Sequence, residues 1–297
     1  MQYRYKDYMN IIITGAKGQL GYECTKILTG KKYKIFPYSD TELDITNSDA
    51  CEKIILKIKP EYIINCAALT NVDYCEEKPN ESFLVNTYGP INLACACLKL
   101  SKCKLIHIST NAVFDGLDRT QPYKEDEQPT PLTIGAYASS KLAGELAVRQ
   151  MLGPQGLVIR TSWLYGKYGN KNFVSAILTL VGKKVPLEIV IDEISSPTSA
   201  KDLALGIFKF IEKDLDGNIY HLSNKGVASR YDFAKAIIDY SDIKNYPLKK
   251  STLVKYLTKY PRPSIVPPYT PLENINAAKY GIELPHWKKS LKEYLKN

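Results

Sequence analysis

Asn10-Ile11-Ile12-Ile13-Thr14-Gly15-Ala16-Lys17-Gly18-Gln19-Leu20-Gly21 decides the fold. A β-branched apolar run ends in three glycines, and an amphipathic stretch, 19–29, follows. That order reads as strand, tight turn, helix. Gly15, Gly18 and Gly21 allow tight turning, close approach of a phosphate and close packing of helix on strand. The helix N-terminus then faces a pyrophosphate. The spacing is G-x-x-G-x-x-G, which departs from G-x-G-x-x-G but serves the same geometry.

The same alternation continues outward. Tyr33–Tyr38 reads as a second strand, and Ser39 or Asp40 falls where a side chain would hold an adenosine ribose. Lys17, in the glycine turn, either meets a 2′-phosphate or faces solvent. Helix is expected over Ser48–Ile58 and strand over 61–65, followed by the small residues Asn65-Cys66-Ala67-Ala68. Small side chains there let a flat cofactor lie on the backbone. One long helix is expected over 80–100, kinked by Pro90, then strand over 104–109. A hydroxyl at that strand's carboxyl end, Ser109 or Thr110, can bond a substrate carbonyl. Helix 136–150 carries Tyr137 and Lys141, which four-residue spacing stacks on one face. An ammonium beside a phenol is expected to lower the phenol's pKa and make it a proton donor and acceptor near neutral pH. Strand 156–160 comes next. Strict alternation to this point argues for a parallel, doubly wound sheet.

Beyond residue 166 the pattern loosens: helix 172–182, strand 187–191, helix 199–213, strand 218–222 and helix 230–240. The run 261–271 holds five prolines, which excludes regular helix or central strand. It is expected to wrap a substrate pocket or the surface of a second domain. The expected fold is therefore α/β, a Rossmann-type doubly wound parallel sheet with a smaller C-terminal α/β substrate domain. Residues 9–165 plus about 187–221 would form the first unit, and about 166–186 plus 222–297 the second. Met9 is the expected start, with 1–8 a disordered extension.

Composition bounds the function. The chain has 297 residues, is 44% hydrophobic and 24% charged, and shows no run long enough for a membrane span. Seven cysteines without a CxxC pair read as reduced thiols in a cytoplasmic protein. Three scattered histidines suggest no metal. Net charge is +9, and residues 244–297 hold eleven Lys/Arg against three Glu. A basic half suits nucleic acid, an anionic small molecule such as a nucleotide sugar, or plain solvated surface. No nucleic-acid-binding motif accompanies it, so no nucleic-acid or membrane partner is expected.

The chain resembles the extended short-chain dehydrogenase/reductases, and within them the dTDP-4-dehydrorhamnose reductases. The matching stretches, in order, are Thr14-Gly15-x-x-Gly18-Gln19-Leu20-Gly21, Leu43-Asp44-Ile45-Thr46, Asn65-x-Ala67-Ala68-x-Thr70-x-Val72-Asp73, and Ser109-Thr110 with Val113-Phe114-Asp115-Gly116. They continue through Tyr137-x3-Lys141-Leu142-Ala143-Gly144-Glu145, Arg160-Thr161-Ser162-Trp163, Asn172-Phe173-Val174, Ser196-Pro197-Thr198, Asp202-Leu203-Ala204 and Pro285-x-Trp287. The resemblance implies NADPH or NADH as cofactor and reduction of the C4 ketone of a nucleotide-linked 4-keto-6-deoxysugar. A homodimer is a further expectation. It implies Tyr137, Lys141 and Thr110 as catalytic residues. Cofactor contacts would come from Gly15, Lys17, Gly18, Gln19, Leu20, Asp44, Ile45, Ala67, Ala68, Tyr137 and Lys141. Substrate contacts would come from Thr70, Val72, Asn111, Ala112 and Trp163.

The departures lie toward the sugar. Asn111-Ala112 stands where the family usually has Asp-Tyr, Asp192-Glu193 where it has Asp-Gln, and Val266-Pro267 where it has Arg-Pro. Loss of an acid, a phenol and an arginine leaves the chemistry intact and alters sugar recognition. The alternatives are a reductase of another nucleotide-linked ketosugar, or a non-catalytic NADP-binding regulatory subunit. Intact Tyr137, Lys141 and Thr110 weigh against the latter.

Overall fold

The computed structural model describes residues 8–130, 135–169, 172–241, 243 and 246–296. The first half runs β1 (Met9–Thr14), α1 (Gln19–Leu28), β2 (Tyr33–Tyr38), α2 (Ser48–Ile58), β3 (Tyr62–Asn65), α3 (Val72–Glu77), α4 (Pro79–Phe83), α5 (Gly89–Leu98), β4 (Lys104–Thr110), α6 (Gly135–Leu152) and β5 (Gly156–Thr161). The second runs β6 (Leu164–Tyr165), α7 (Phe173–Gly182), β7 (Leu187–Val190), β8 (Ile194–Ser195), β9 (Thr198–Ser199), α8 (Ala200–Glu212) and β10 (Ile219–His221). It closes with β11 (Ala228–Ser229), α9 (Arg230–Tyr240), β12 (Leu248–Ser251), α10 (Leu253–Lys259), α11 (Ile275–Ala278) and α12 (Trp287–Lys296). The expected extension 1–8 falls outside the described residues except for Tyr8.

Six strands make one parallel sheet in the order β10-β5-β4-β3-β1-β2. Helices cover both faces, so strand residues on either side must be apolar. Ile11–Ile13, Ile63, Ile64, Leu105, Ile106 and 157–159 are all fully buried. Leu20, Cys24, Ile207 and Phe210 of α1 and α8 pack one face. Cys51, Ile55, Leu93, Cys97 and Val148 of α2, α5 and α6 pack the other. Strand β1 lies one strand in from the edge: β2 is added outside it, and the chain returns to place β3 on its inner side. Connections therefore diverge between β1 and β3, and a crevice opens at the carboxyl ends there.

The expected single helix over 80–100 is not continuous. A π-helical turn, Leu84–Tyr88, separates α4 from α5. Pro90 has no N–H to donate to the carbonyl of Asn86, and this carbonyl instead lies against α6. A Cβ on Gly144 would lie 2.2 Å from Asn86 O, so only glycine permits the approach. Strand Leu187–Val190 also differs from expectation. It pairs in parallel with β12, away from the six-stranded sheet. There it joins a third core of Val174, Ile177, Phe233, Ile237, Trp287 and Leu291 from α7, α9 and α12. Helix caps define the starts of α7 and α9: Asn172 with Ser175, and Ser229 with Asp232, each form a capping box.

Candidate active site

The glycine turn shows why its residues are glycine. Gly15 has φ +63°, and a Cβ there would lie 2.7 Å from Ala67 N. A Cβ on Gly21 would lie 2.2 Å from Gly15 O. The turn delivers the start of α1 to the sheet's edge, with Gly18 as an N-cap that offers no side chain. Backbone amides of the first helical turn stay free for an anion. A cavity of about 370 Å³ opens beside them, lined by Gly15, Lys17, Ser39, Asp40, Asp44 and Ile45 along one flank and Cys66, Ala67 and Ala68 along the other. A crowded glycine cradle, a small-residue floor and free helix amides fit a dinucleotide.

Of the two candidates for the ribose, Ser39 is engaged elsewhere. Its N–H (2.8 Å) and hydroxyl (2.6 Å) both donate to Glu42. Asp40 is exposed on the cavity wall. Lys17 is exposed too, and near enough to Glu42 to help hold its carboxyl below the usual range, after the two Ser39 hydrogen bonds. Asp44 turns inward on its own loop, accepting from Thr46 N (2.9 Å) and Oγ1 (2.8 Å).

A second cavity of about 310 Å³ shares Gly18, Cys66 and Ala68 with the first, so the two abut in one groove. Gln19, Leu20, Thr70, Thr110, Asn111, Tyr137, Lys141 and Trp163 line it. The tertiary structure thus brings together residues from α1, the segment after β3, β4, the end of β5 and α6. Tyr137 and Lys141 share a face of α6, as expected, but do not act on each other as expected. The Lys141 ammonium, 2% exposed, donates to Ile108 O at 2.6 Å. Burial pushes the Tyr137 phenol up to about 12, and a hydrogen bond with Thr110 opposes the rise. Burial likewise pushes Lys141 down to about 8, with Glu145 opposing. Desolvation of each group outweighs their proximity along the helix. The phenol is therefore a protonated group at neutral pH, a donor and not a preformed phenolate.

Three of the expected substrate residues are placed differently. Asn111 lines the groove, yet its amide N–H donates to Thr270 Oγ1 (2.6 Å) and Ser195 Oγ (3.1 Å). It clasps β4 to β8 and the proline-rich loop. Ala112 packs on Val113 and Phe114, and neither it nor Val72, half-buried at the start of α3, lines these cavities. Trp163 adopts φ +40°, a conformation that costs on the order of 1–3 kcal/mol in a non-glycine residue. Arg230 stacks on its ring, 3.7 Å from the centroid, and pairs with Glu193 at 2.7 Å. Both residues border a third cavity of about 430 Å³, which meets the second at Asn172 and is lined also by Tyr256, Arg262 and Val266. Arg230, Arg262 and Gly169, whose φ is +82°, gave no sequence signal of their own, being far from the glycine turn in the chain. The described residues hold no group of three His, Cys, Asp or Glu suited to a metal, and no described helix is long and apolar enough to cross a membrane.

Similar proteins agree with this architecture. The spore coat polysaccharide biosynthesis protein SpsK of Bacillus subtilis is 36% identical over 285 residues, 96% of each chain. The crystal structure of a dTDP-4-dehydrorhamnose reductase from Clostridium acetobutylicum is 37% identical with a TM-score of 0.88, covering 97% of this chain and 99% of that one. The Bacillus anthracis dTDP-4-dehydrorhamnose reductase, solved in complex with NADP, is 35% identical with a TM-score of 0.89 at the same coverage. The family model described as RmlD substrate binding domain matches residues 9–297, and with these relatives it shows that the chain belongs to that family.

Proposed function

We propose that this protein is an NAD(P)H-dependent reductase of the C4 ketone of a nucleotide-linked 4-keto-6-deoxysugar, similar to the dTDP-4-dehydrorhamnose reductases. The observation that carries the reading is the place of the Tyr137 phenol beside Thr110 in the groove. The phenol is bonded to Thr110 and opens onto a groove that continues from the glycine cradle. When bound, the reduced nicotinamide supplies hydride. Gly15, Gly18 and the first turn of α1 would hold its diphosphate, and Ala67 and Ala68 would form the floor beneath its adenosine half. Lys141 would hold the nicotinamide ribose with its ammonium. Thr110 and Tyr137 would grip the sugar's carbonyl oxygen, and Tyr137 would give that oxygen its proton as charge develops there. The dry wall around Tyr137 strengthens both hydrogen bonds. The cavity beyond Trp163 would take the nucleotide. Asp40 would meet the adenosine ribose of NADH and Lys17 the 2′-phosphate of NADPH. The enzyme acts in the cytoplasm as a homodimer in this reading, which sedimentation velocity checks.

The test is NADPH consumption with dTDP-4-dehydrorhamnose by wild type and Tyr137→Phe. The variant is expected to lose about 10²–10⁴-fold in kcat while binding NADPH normally. A Phe variant that turns over at the wild-type rate removes Tyr137 from the chemistry.

A second substrate is favoured by Asn111, Ala112 and Val266. Asn111 holds the proline-rich loop and leaves the sugar fewer polar partners, at about 1–3 kcal/mol each. On this reading a related nucleotide-linked ketosugar is preferred. The deciding comparison is kcat/KM on dTDP-4-dehydrorhamnose for wild type and Asn111→Asp/Ala112→Tyr. A wild-type value above roughly 10⁴ M⁻¹s⁻¹, with no gain in the double variant, refutes the altered substrate.

A further inference from the structure

Helix α6 offers three residues four apart to the end of β4. Tyr137 bonds Thr110, Lys141 Nζ donates to Ile108 O, and Glu145 Oε2 accepts from Ser109 Oγ at 3.0 Å. The first two reach the groove. Glu145 lies behind them, fully buried, and is gripped by Arg160 of β5. Arg160 Nε donates to Glu145 Oε2 at 2.9 Å, and its Nη2 donates to Oε1. Arg160 is itself 1% exposed, its guanidinium over the Phe114 ring and beside His221. Three donors thus converge on the two oxygens of this one carboxylate. Buried ion pairs are often no more stabilising than apolar replacements, so stability alone does not account for this one. Its location does: it sits one helical turn beyond Lys141.

We propose that Glu145, locked in place by Arg160 and Ser109, is the counter-charge that keeps Lys141 protonated in the dry floor of the groove. Glu145 is thereby a positioning residue, and its catalytic meaning rests on the reading of Lys141 given above. The groups around Lys141 set the sign. Its own helix brings Tyr137 and Glu145, β4 brings His107 and the Ile108 carbonyl, and the segment after β3 brings Cys66. Arg160 of β5 approaches through Glu145. His107 is buried, and its imidazole is held well below its usual range, first by burial and then by Lys141. It adds no negative charge. Glu145 is the carboxylate of this set, and it opposes the burial that drives Lys141 down.

The experiment follows the side-chain carbon resonance of Lys141 through a pH titration of the full-length apoprotein labelled with [ε-¹³C]lysine. Lys141→Arg assigns the signal. Glu145→Gln keeps the shape and removes the charge, and it should lower the Lys141 midpoint by at least one pH unit. NADPH affinity at pH 7.5 should then fall about threefold, the loss in the protonated fraction. Glu145→Asp keeps the charge and should keep the wild-type midpoint. If Glu145→Gln does not fold, Glu145→Gln/Arg160→Met removes both buried charges together, and it should show a smaller lowering of the midpoint, since loss of the more distant Arg160 cation offsets part of the effect. A midpoint that stays put in whichever of these variants folds overturns the proposal. No substrate enters the measurement, so a protein that shows the shift yet reduces no ketosugar loses the proposed function and keeps this inference.

Discussion

The least obvious residue-level result is the separation of Tyr137 from Lys141. Spacing put them on one face, but the ammonium has its own carbonyl partner in Ile108. What their shared burial does is oppose charge on each. This has a pH consequence. Lys141 is protonated below about 8 and neutral above it. The cation proposed to hold a ribose is therefore present at pH 7 and lost as pH rises through that value. NADPH affinity measured by fluorescence titration should be flat from pH 6 to 7 and fall between pH 7.5 and 9. In Lys141→Met it should be weak and independent of pH over the same range. Tyr137, held near 12, keeps its proton across that window and contributes no slope. That Tyr137, Lys141 and Thr110 belong to one groove was legible as motifs, because residue type and order survive in sequence. The partners of Asn111 were not, since Ser195 and Thr270 lie 84 and 159 residues away in the chain.

Among the elements, the strand–turn–helix at the N-terminus is the most constrained. Gly15 and Gly21 leave no room for a methyl group, and the obstacle at Gly21 is a backbone carbonyl that cannot step aside. Gly21→Ala is expected to destabilise the protein by about 1–3 kcal/mol, as overpacking does, and to push α1 off the cradle. Calorimetry should show a lower Tm and isothermal titration a loss of NADPH binding. A variant with wild-type Tm and affinity would mean the turn has slack that these distances do not show. The strands and most helices of the first half were legible to within a residue or two, because each pairs a simple period with a clear turn, whereas the short helix α3 was not foreseen. Helix 80–100 was misread as continuous because its break answers to Gly144 on another helix. Strand Leu187–Val190 was grouped with the first unit, yet it pairs with β12, because an apolar run does not name its partner.

For the whole molecule, the contact that spans the groove is small. Arg262 Nε (2.9 Å) and Ser264 Oγ (2.5 Å) both donate to Asp73 Oδ1, tying the proline-rich loop to α3. Both ionic side chains are more than a third exposed, so the pair contributes at most about 1 kcal/mol to stability. Its effect is to hold the loop that carries Arg262 and Val266 over the third cavity. Arg262→Ala should therefore shift Tm by no more than about 4 °C while raising KM for the nucleotide sugar and leaving kcat nearly unchanged. An unchanged KM would show that the loop is held without this tie.

The sequence by itself determined the parallel sheet, the glycine cradle and the identity of the polar groups that line the groove. These depend on local period, on backbone sterics at glycine and on residue type, all of which are written along the chain. Only the tertiary structure decided their states and partners. Burial set the protonation of Tyr137 and Lys141, because desolvation depends on everything packed around a group. Long-range contacts turned Asn111 into a clasp, brought Arg230 over Trp163, and placed the Glu145–Arg160 pair behind the groove.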